Sequence, residues 1–401
     1  MNCSMTKVQC HKRAGRYGLA HRRTRLVASG FLALGFCGAL ATPPNLVWQD
    51  KGPGLAYCHD QNPRIPLAVH VVRVDRASKD LELHVTMGGG NRIGLSVLSQ
   101  QAAFIKPPVG QAVAAINGDY FYVERPFEGD PMNLMILRGG ELVSGPGVDR
   151  AFFFLDARGE PHITNAIARF SVTWPGGKQT PIGLNEYPET GQAVLYTSAA
   201  GYSTSVEGVD LILGRKGQEA WLPLRIGQRL TAVVREVNKQ GFSRIPADGM
   251  VLSLSPRTIP QLPPLNPGME ITISTATEPD LGGASLALGG GPSLVRGGKP
   301  RPEEEFRGFQ RRDPRTAFGW NSRYYYLVQC DGRQPRYSMG MTLGELADYF
   351  VKLGCDYAIN LDGGGSCTTW LDGRIVNSPS QRGMERPSAN ALVVVRKPKT
   401  P

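Results

Sequence analysis

The sequence predicts an α+β fold dominated by strands: one large domain with a mixed sheet, few helices and a β-rich middle segment. Three observations lead there. Most apolar runs are short, rich in β-branched residues and bounded by Gly, Pro, Asn or Asp, as strands are. Only two stretches carry helical periodicity. Those two do not alternate regularly with the strands, which disfavours a doubly wound parallel sheet.

The elements follow in order. Residues 67–75 and 81–86 read as paired strands around a short polar turn. Residues 94–105 read as a helix with Ser96 at its N-cap, stopped by Pro107 and Pro108. Residues 112–121 are a buried strand that runs into polar residues. Residues 141–279 form the β-rich middle segment, and 230–237 is one of its clearer strands. Residues 286–295 hold a glycine-rich turn between strands, and 317–329 a hairpin turning at Asn321 and Ser322. Thr342 with Glu345 is a capping box. Leu343, Leu346, Ala347, Phe350 and Val351 give the helix behind it one apolar stripe, and Gly354 stands where a C-terminal glycine cap belongs. A buried strand, a glycine loop and a further strand come next. Residues 389–396 are the last strand.

Charge and cysteine content bound the class. The 401-residue chain carries a net charge of +11, but its first 49 residues contain no acidic residue. Lys7, Lys12, Arg13, Arg16, Arg22, Arg23 and Arg25 precede an apolar stretch, residues 26–41, that ends in Ala39-Leu40-Ala41. A basic region, an apolar region and an A-x-A site together read as an export signal over residues 1–41, with an uncleaved N-terminal membrane anchor as the alternative. The expected location is therefore periplasmic or extracellular. Residues 42–66 are a lead-in and 67–398 the main domain. Without those seven charges the remainder carries about +4. No basic stripe interleaved with aromatics is present, so nucleic-acid binding has no support. No second long apolar segment exists, so no membrane span is expected in the mature chain. Four cysteines lie beyond residue 41, namely Cys58, Cys330, Cys355 and Cys367. In an exported protein they allow disulfides, with three complete pairings. The absence of C-x-x-C argues against a zinc site.

Five polar clusters recur at strand ends or tight turns. They are Asn117-Gly118-Asp119, Arg312 to Thr316, Asp331-Gly332-Arg333, Asn360 to Ser366, and Arg386-Pro387 with Asn390. Each alone is an ordinary turn former; five on one chain point to a site. The loop Asp362-Gly363-Gly364-Gly365-Ser366 is the centre of this reading. Three glycines cost backbone entropy and are used where the chain turns sharply or where something approaches its backbone closely. Asp362 suits a general acid or base, a nucleophile or a metal ligand; its bland reading is a carboxylate capping the turn. Arg315, fixed by Pro314, suits bidentate recognition of phosphate or carboxylate, or a structural pair with Asp313 or Asp362. Ser366 lacks the G-x-S-x-G setting of a hydrolase nucleophile. The glycines 289–291 and 297–298 do not form a phosphate loop, because Ser293 stands where the first glycine is required.

Taken together, the clusters resemble one family. Asn117-Gly118-Asp119-Tyr120-Phe121, Gly289-Gly290-Gly291-Pro292, Pro314 to Gly319, Asp331-Gly332-Arg333, Asn360 to Ser366, and Arg386-Pro387 with Asn390 occur in the order found in the phosphodiester glycosidases. The resemblance spans about residues 67–395 and is similar to a bacterial, exported form. It implies a single phosphodiester-glycosidase-like domain that hydrolyses the C1–O bond of a sugar-1-phosphodiester and releases sugar and phosphomonoester, on a cell-envelope or exopolysaccharide glycan. It implies Asp362, Asp119 and Arg315 as catalytic residues. For substrate binding it implies Asn117, Gly118, Thr316, Asp331, Arg333, Asn360, Gly363, Gly364, Gly365, Ser366, Arg386 and Asn390. Two other readings stand beside it. One is a non-catalytic glycan-binding protein on the same fold. The other is a metal-dependent phosphodiesterase with Ca²⁺ or Mg²⁺ on Asp119, Asp331 and Asp362.

Overall fold

The computed structural model describes residues 46–62, 64–124, 128–188, 191–201, 208–218 and 220–398. The expected export leader, residues 1–41, lies outside them. Thr42–Pro401 forms one compact unit, built from strands with two α-helices among the described residues.

An eight-stranded antiparallel sheet runs, edge to edge, through Gln49–Asp50, Leu55–Asn62, Leu67–Asp75, Tyr324–Cys330, Arg315–Trp320, Tyr357–Asn360, Ser293–Arg296 and Lys299–Pro300. The lead-in thus supplies its first two strands. A second, five-stranded sheet runs through Arg374–Ile375, Thr369–Leu371, Gln111–Asn117, Asn390–Arg396 and Leu81–Met87. These two sheets and a third of five strands bury a common core that includes Val72, Val74, Leu83, Val85, Ile116, Phe153, Phe318, Leu327 and Leu392. Each large sheet hides its other face under one helix. Leu343–Lys352 packs Leu343, Leu346, Ala347 and Phe350 onto Val69, Val71, Val328 and Ala358. Leu98–Ala103 packs Leu98 and Ala102 onto Ala115, Ala391 and Val393. Strands buried on both faces read as continuous apolar runs, which is why Asn390–Arg396 is all but uniformly apolar.

Two expectations are corrected here. The strands at 67–75 and 81–86 do not pair. Leu67–Asp75 pairs with Leu55–Asn62 and Tyr324–Cys330, whereas Leu81–Met87 pairs with Asn390–Arg396. Both carry more apolar surface than a hairpin edge needs, and the short turn between them crosses from one sheet to the other. Residues 286–295 split in the same way, with Leu286–Gly289 in the third sheet and Ser293–Arg296 in the first. The first helix has Val97 at its N-cap, without a side-chain hydrogen bond; Ser96 instead donates its hydroxyl to the Gly88 carbonyl. The second helix has the expected Thr342–Glu345 capping box, and Gly354 follows it at φ +75°.

The middle segment closes into a seven-stranded barrel, Ile167 to Glu278, filled by Phe170, Val172, Leu184, Leu195, Leu211, Val234, Leu252 and Ile273. Its pair Gln179–Leu184 with Ala193–Tyr196 is parallel, which gives the strand set its mixed character. Cys58, Cys330, Cys355 and Cys367 are buried free thiols. The disulfides that the sequence allowed are therefore absent; three of these cysteines pack as small apolar groups in the core beneath the second helix.

Candidate functional site

The five clusters meet at one end of the two large sheets, and Asn117 is the clasp. It ends a strand of the second sheet, and Thr316 of the first sheet donates its hydroxyl to Asn117 Oδ1 at 2.7 Å. Asn117 Nδ2 donates to the Asp362 carbonyl at 2.7 Å, and the Thr368 amide donates back to Oδ1 at 3.2 Å. One buried amide therefore joins both sheets to the two ends of the glycine loop. Gly118 adds a bond of its own, its carbonyl accepting from the Asp362 amide. A side chain at Gly118 would collide with Asn390 Oδ1, which accepts from the Asp119 amide at 2.7 Å. Asn117, Gly118, Thr316 and Asn390 are thus the frame of the site, closed off from solvent.

Asp331 belongs to the frame as well. Its oxygens accept from Gln329, Asn377 and the Ser378 amide, and face His70 Nε2 at 3.1 Å. Burial opposes its charge, but the His70 and Asn377 hydrogen bonds hold the carboxyl below its usual range. Asn377 in turn carries the Cys367 carbonyl and the Thr369 amide, so Asp331 supports the loop from behind. Substrate contact by Asp331, and a metal on Asp119, Asp331 and Asp362, do not fit this geometry, because the Asp331 oxygens are spent on protein donors. No metal-ligating cluster of three His, Cys, Asp or Glu occurs among the described residues.

The glycine loop itself is ringed by arginines. A Cβ on Gly363 would lie 3.0 Å from the Pro314 carbonyl and 3.9 Å from Arg315 Nη1. One on Gly364 would lie 2.9 Å from Arg333 Nη2, and one on Gly365 would lie 2.8 Å from Gln381 Nε2 and 3.4 Å from Arg386 Cδ. An added carbon would press on a guanidinium at Gly364, while at Gly363 and Gly365 an arginine side chain lies at ordinary contact distance. Arg333 is paired with Asp313 at 2.8 Å. Arg386 reaches Asp362 Oδ2 at 3.2 Å and the Ser366 hydroxyl. Arg315 differs. It is only 6 % exposed, and its Nε and Nη2 donate to the carbonyls of Met341, Phe309 and Arg311. These neutral acceptors fix the group without cancelling its charge, and Nη1 keeps no hydrogen-bond partner among the described residues. Burial lowers the Arg315 pKa, yet a guanidinium stays protonated.

Asp362 is the carboxylate that opens toward this ring. Oδ2 accepts from Ser366 Oγ at 2.5 Å, and Oδ1 from the Gly363 amide at 2.9 Å. Burial pushes its carboxyl above the ordinary range, while Ser366, Arg386 and the Gly363 amide favour the charged form. Asp119 lies one layer behind. It is 1 % exposed, it caps the Tyr120 amide, and its Oδ2 has no partner. Burial drives its carboxyl well above the usual range. Asp119 therefore reaches the site through Tyr120 rather than with its own oxygens. Tyr120, which was not among the residues singled out, is held by Asn360 Nδ2 at 2.8 Å and lies under the guanidinium of Arg150, 5.1 Å from its ring centroid. Its place inside the Asn117 to Phe121 cluster was the available signal. Gln381 and Arg150 sit in unremarkable stretches, and no sequence pattern marks them.

A cavity of about 890 Å³ opens beside this arrangement, between the barrel and Tyr122, Glu124, Pro131, Met132 and residues 144–150, with Arg150 in its wall. Asp362 and the glycine loop lie outside it, so the ring of arginines and this cavity are neighbours rather than one pocket.

Residues 229–395 match the phosphodiester glycosidase family model. This segment contains Arg315, the glycine loop, Arg386 and Asn390 but not Asn117 to Tyr120. The SPbeta prophage-derived protein YomE of Bacillus subtilis (strain 168) is 33% identical over 115 residues, 28% of this chain and 18% of that protein. The chain thus spans less than a fifth of that relative's length. Among solved structures, a protein from Synechocystis superposes with a TM-score of 0.69 at 20% identity, covering 88% of this chain and 64% of that one. A protein from Burkholderia pseudomallei K96243 gives 0.64 at 21%, covering 82% and 74%. Both similarities are of fold.

Proposed function

We propose, on the phosphodiester glycosidase match over residues 229–395, that this site hydrolyses a sugar-1-phosphodiester at its C1–O bond. The observation that carries the reading is one partly exposed carboxylate, Asp362, set among three arginine side chains around a side-chain-free loop. An anionic diester finds its counter-charge at Arg315, whose Nη1 is free and which forms no salt bridge among the described residues. Attack of water on C1 breaks the C1–O bond, and the electron pair leaves on the phosphate oxygen. A phosphate leaves without strong protonation, so one accessible carboxylate suffices where ordinary glycosidases use two. Asp362 takes the proton of the attacking water or stabilises the positive charge growing at C1. Arg386 and Ser366 orient it.

The test is a panel of methyl diesters of hexose- and N-acetylhexosamine-1-phosphates in both anomeric forms, incubated in ¹⁸O water. Free sugar carrying ¹⁸O, with unlabelled methyl phosphate, is the expected result. Label in the phosphate would mean P–O cleavage, and no release from any member would leave glycan binding as the function. The whole chain's biological substrate, an envelope or exopolysaccharide glycan, is part of the same proposal. So is its location: the basic and apolar pattern of residues 1–41 supports export, and a mature N-terminus near Thr42 by mass spectrometry is expected.

A further inference from the structure

The cavity beside the arginine ring has a chemistry of its own. Tyr122 and Tyr187 stand in its wall about half exposed, at 52% and 49%, and Val148 is 89% exposed. Large apolar side chains so exposed in the wall of one cavity mark a contact surface. Tyrosine gives a rigid, flat, apolar face with a polar tip, and it loses little conformational entropy on binding. The wall also carries the polar side chains of Glu124, Glu186 and Gln192. The cavity's 890 Å³ falls within the roughly 300–1,000 Å³ of small-molecule sites.

Charge separates the two neighbouring sites. Arg315, Arg333 and Arg386 gather at the glycine loop. The cavity has Arg150 against Glu124 and Glu186. Asp130 lies behind its wall, next to the lining residue Pro131, buried and with an Oδ2 that no donor reaches. A polyanion is disfavoured there. A neutral, hydroxyl-rich molecule suits it, with carbon–hydrogen faces for the tyrosine rings and hydroxyls for the carboxylates and amides. Arg150 joins the two sites: its guanidinium lies over Tyr120, which hydrogen-bonds to Asn360 at the base of the loop.

We infer that this cleft between barrel and sheets is a second binding site, which holds neutral sugar units of an oligosaccharide continuous with the phosphodiester at the arginine ring. The inference rests on the proposed glycosidase reading for what lies at the ring, and it assigns the barrel a role in selecting long substrates. Binding is measured on an array of linear neutral oligosaccharides of glucose, galactose, mannose and N-acetylglucosamine, two to six units long, with the full chain, Tyr122→Ala, Tyr187→Ala and Asp362→Asn. The expected result is binding that strengthens with length, falls at least tenfold in either tyrosine variant and persists in Asp362→Asn. Both tyrosines are surface residues, and unchanged melting of the variants confirms that they fold. No binding to any neutral member, or binding that neither tyrosine variant weakens, overturns the inference. Hydrolysis of the short methyl diesters by the unaltered chain is read separately. If that fails while the array result holds, the cleft stands and the glycosidase reading falls.

Discussion

Gly364 and Arg333 stand so close that a Cβ on the glycine would lie 2.9 Å from Nη2 of the arginine. Gly364 also has φ +61°, in the left-handed region. Gly364→Ala therefore meets two separate penalties, a backbone cost of about 1–2 kcal/mol and a displaced guanidinium. Activity on the methyl diesters is expected to fall about tenfold or more. In a double-mutant cycle with Arg333→Ala the two losses should not add, because removing Arg333 relieves the contact but not the φ cost. Strict additivity would show that the arginine does not sense the loop.

Asp362→Asn keeps the volume of the side chain and removes its charge. Turnover should fall by about 10²–10⁴-fold, the range for losing a proton-transfer group, with the melting transition little changed. In the unaltered chain, burial raises the Asp362 pKa. Activity needing the carboxylate is therefore present above that pKa and lost as pH falls through it, so the acid limb of the pH profile should sit above the ordinary carboxylate range. A variant that unfolds instead would make Asp362 a turn cap.

Arg315→Lys should lower kcat/KM by about 10–100-fold, since hydrogen bonds to a charged group are worth about 1.5–3 kcal/mol. Lysine cannot reach the Met341 and Arg311 carbonyls and present a third nitrogen at once. The carbonyls left without donors should also lower the melting temperature. Kinetics unchanged from the parent would remove Arg315 from phosphate recognition.

Asn117→Ala unties the clasp. The Thr316 hydroxyl, the Thr368 amide and the Asp362 carbonyl all lose a buried partner. At about 1–3 kcal/mol for each unsatisfied group, chemical denaturation should show a loss of several kcal/mol. A loss under about 1 kcal/mol would mean that the loop is held elsewhere.

Asp130 predicts a pH effect on stability. Burial, and then Glu186, push its carboxyl up to about 8. The unfolded carboxyl ionises near 4, so between about pH 4 and 8 the folded state holds a proton that the unfolded state has lost. Stability contributed by this group is full below pH 4 and is lost as pH rises toward 8. Asp130→Asn should therefore gain stability relative to the parent at pH 8 by up to a few kcal/mol, and the gain should vanish near pH 4. A difference independent of pH would show that Asp130 is already ionised in the fold.

By itself the sequence determined the local features. The capping box at Thr342, the hairpin Arg315–Cys330, the strand before Asp362 and the polar clusters follow from periodicity and turn chemistry, which act within a few residues. It also marked the chemistry of the loop, because three adjacent glycines are costly without a reason. Tertiary structure alone decided which strands pair. Leu67–Asp75 and Leu81–Met87 are adjacent in sequence yet lie in facing sheets, because burying both faces of each strand outweighs the short connection. It decided that the middle strands close into a barrel. It also sorted the site residues, placing Asp362 and Arg315 at the loop, Asp119 behind Tyr120, and Asp331 among donors that occupy it fully. Those roles depend on which groups lose water together. Burial of that kind is a property of segments some 250 residues apart, such as Asn117 and Asp362, and no local pattern encodes it.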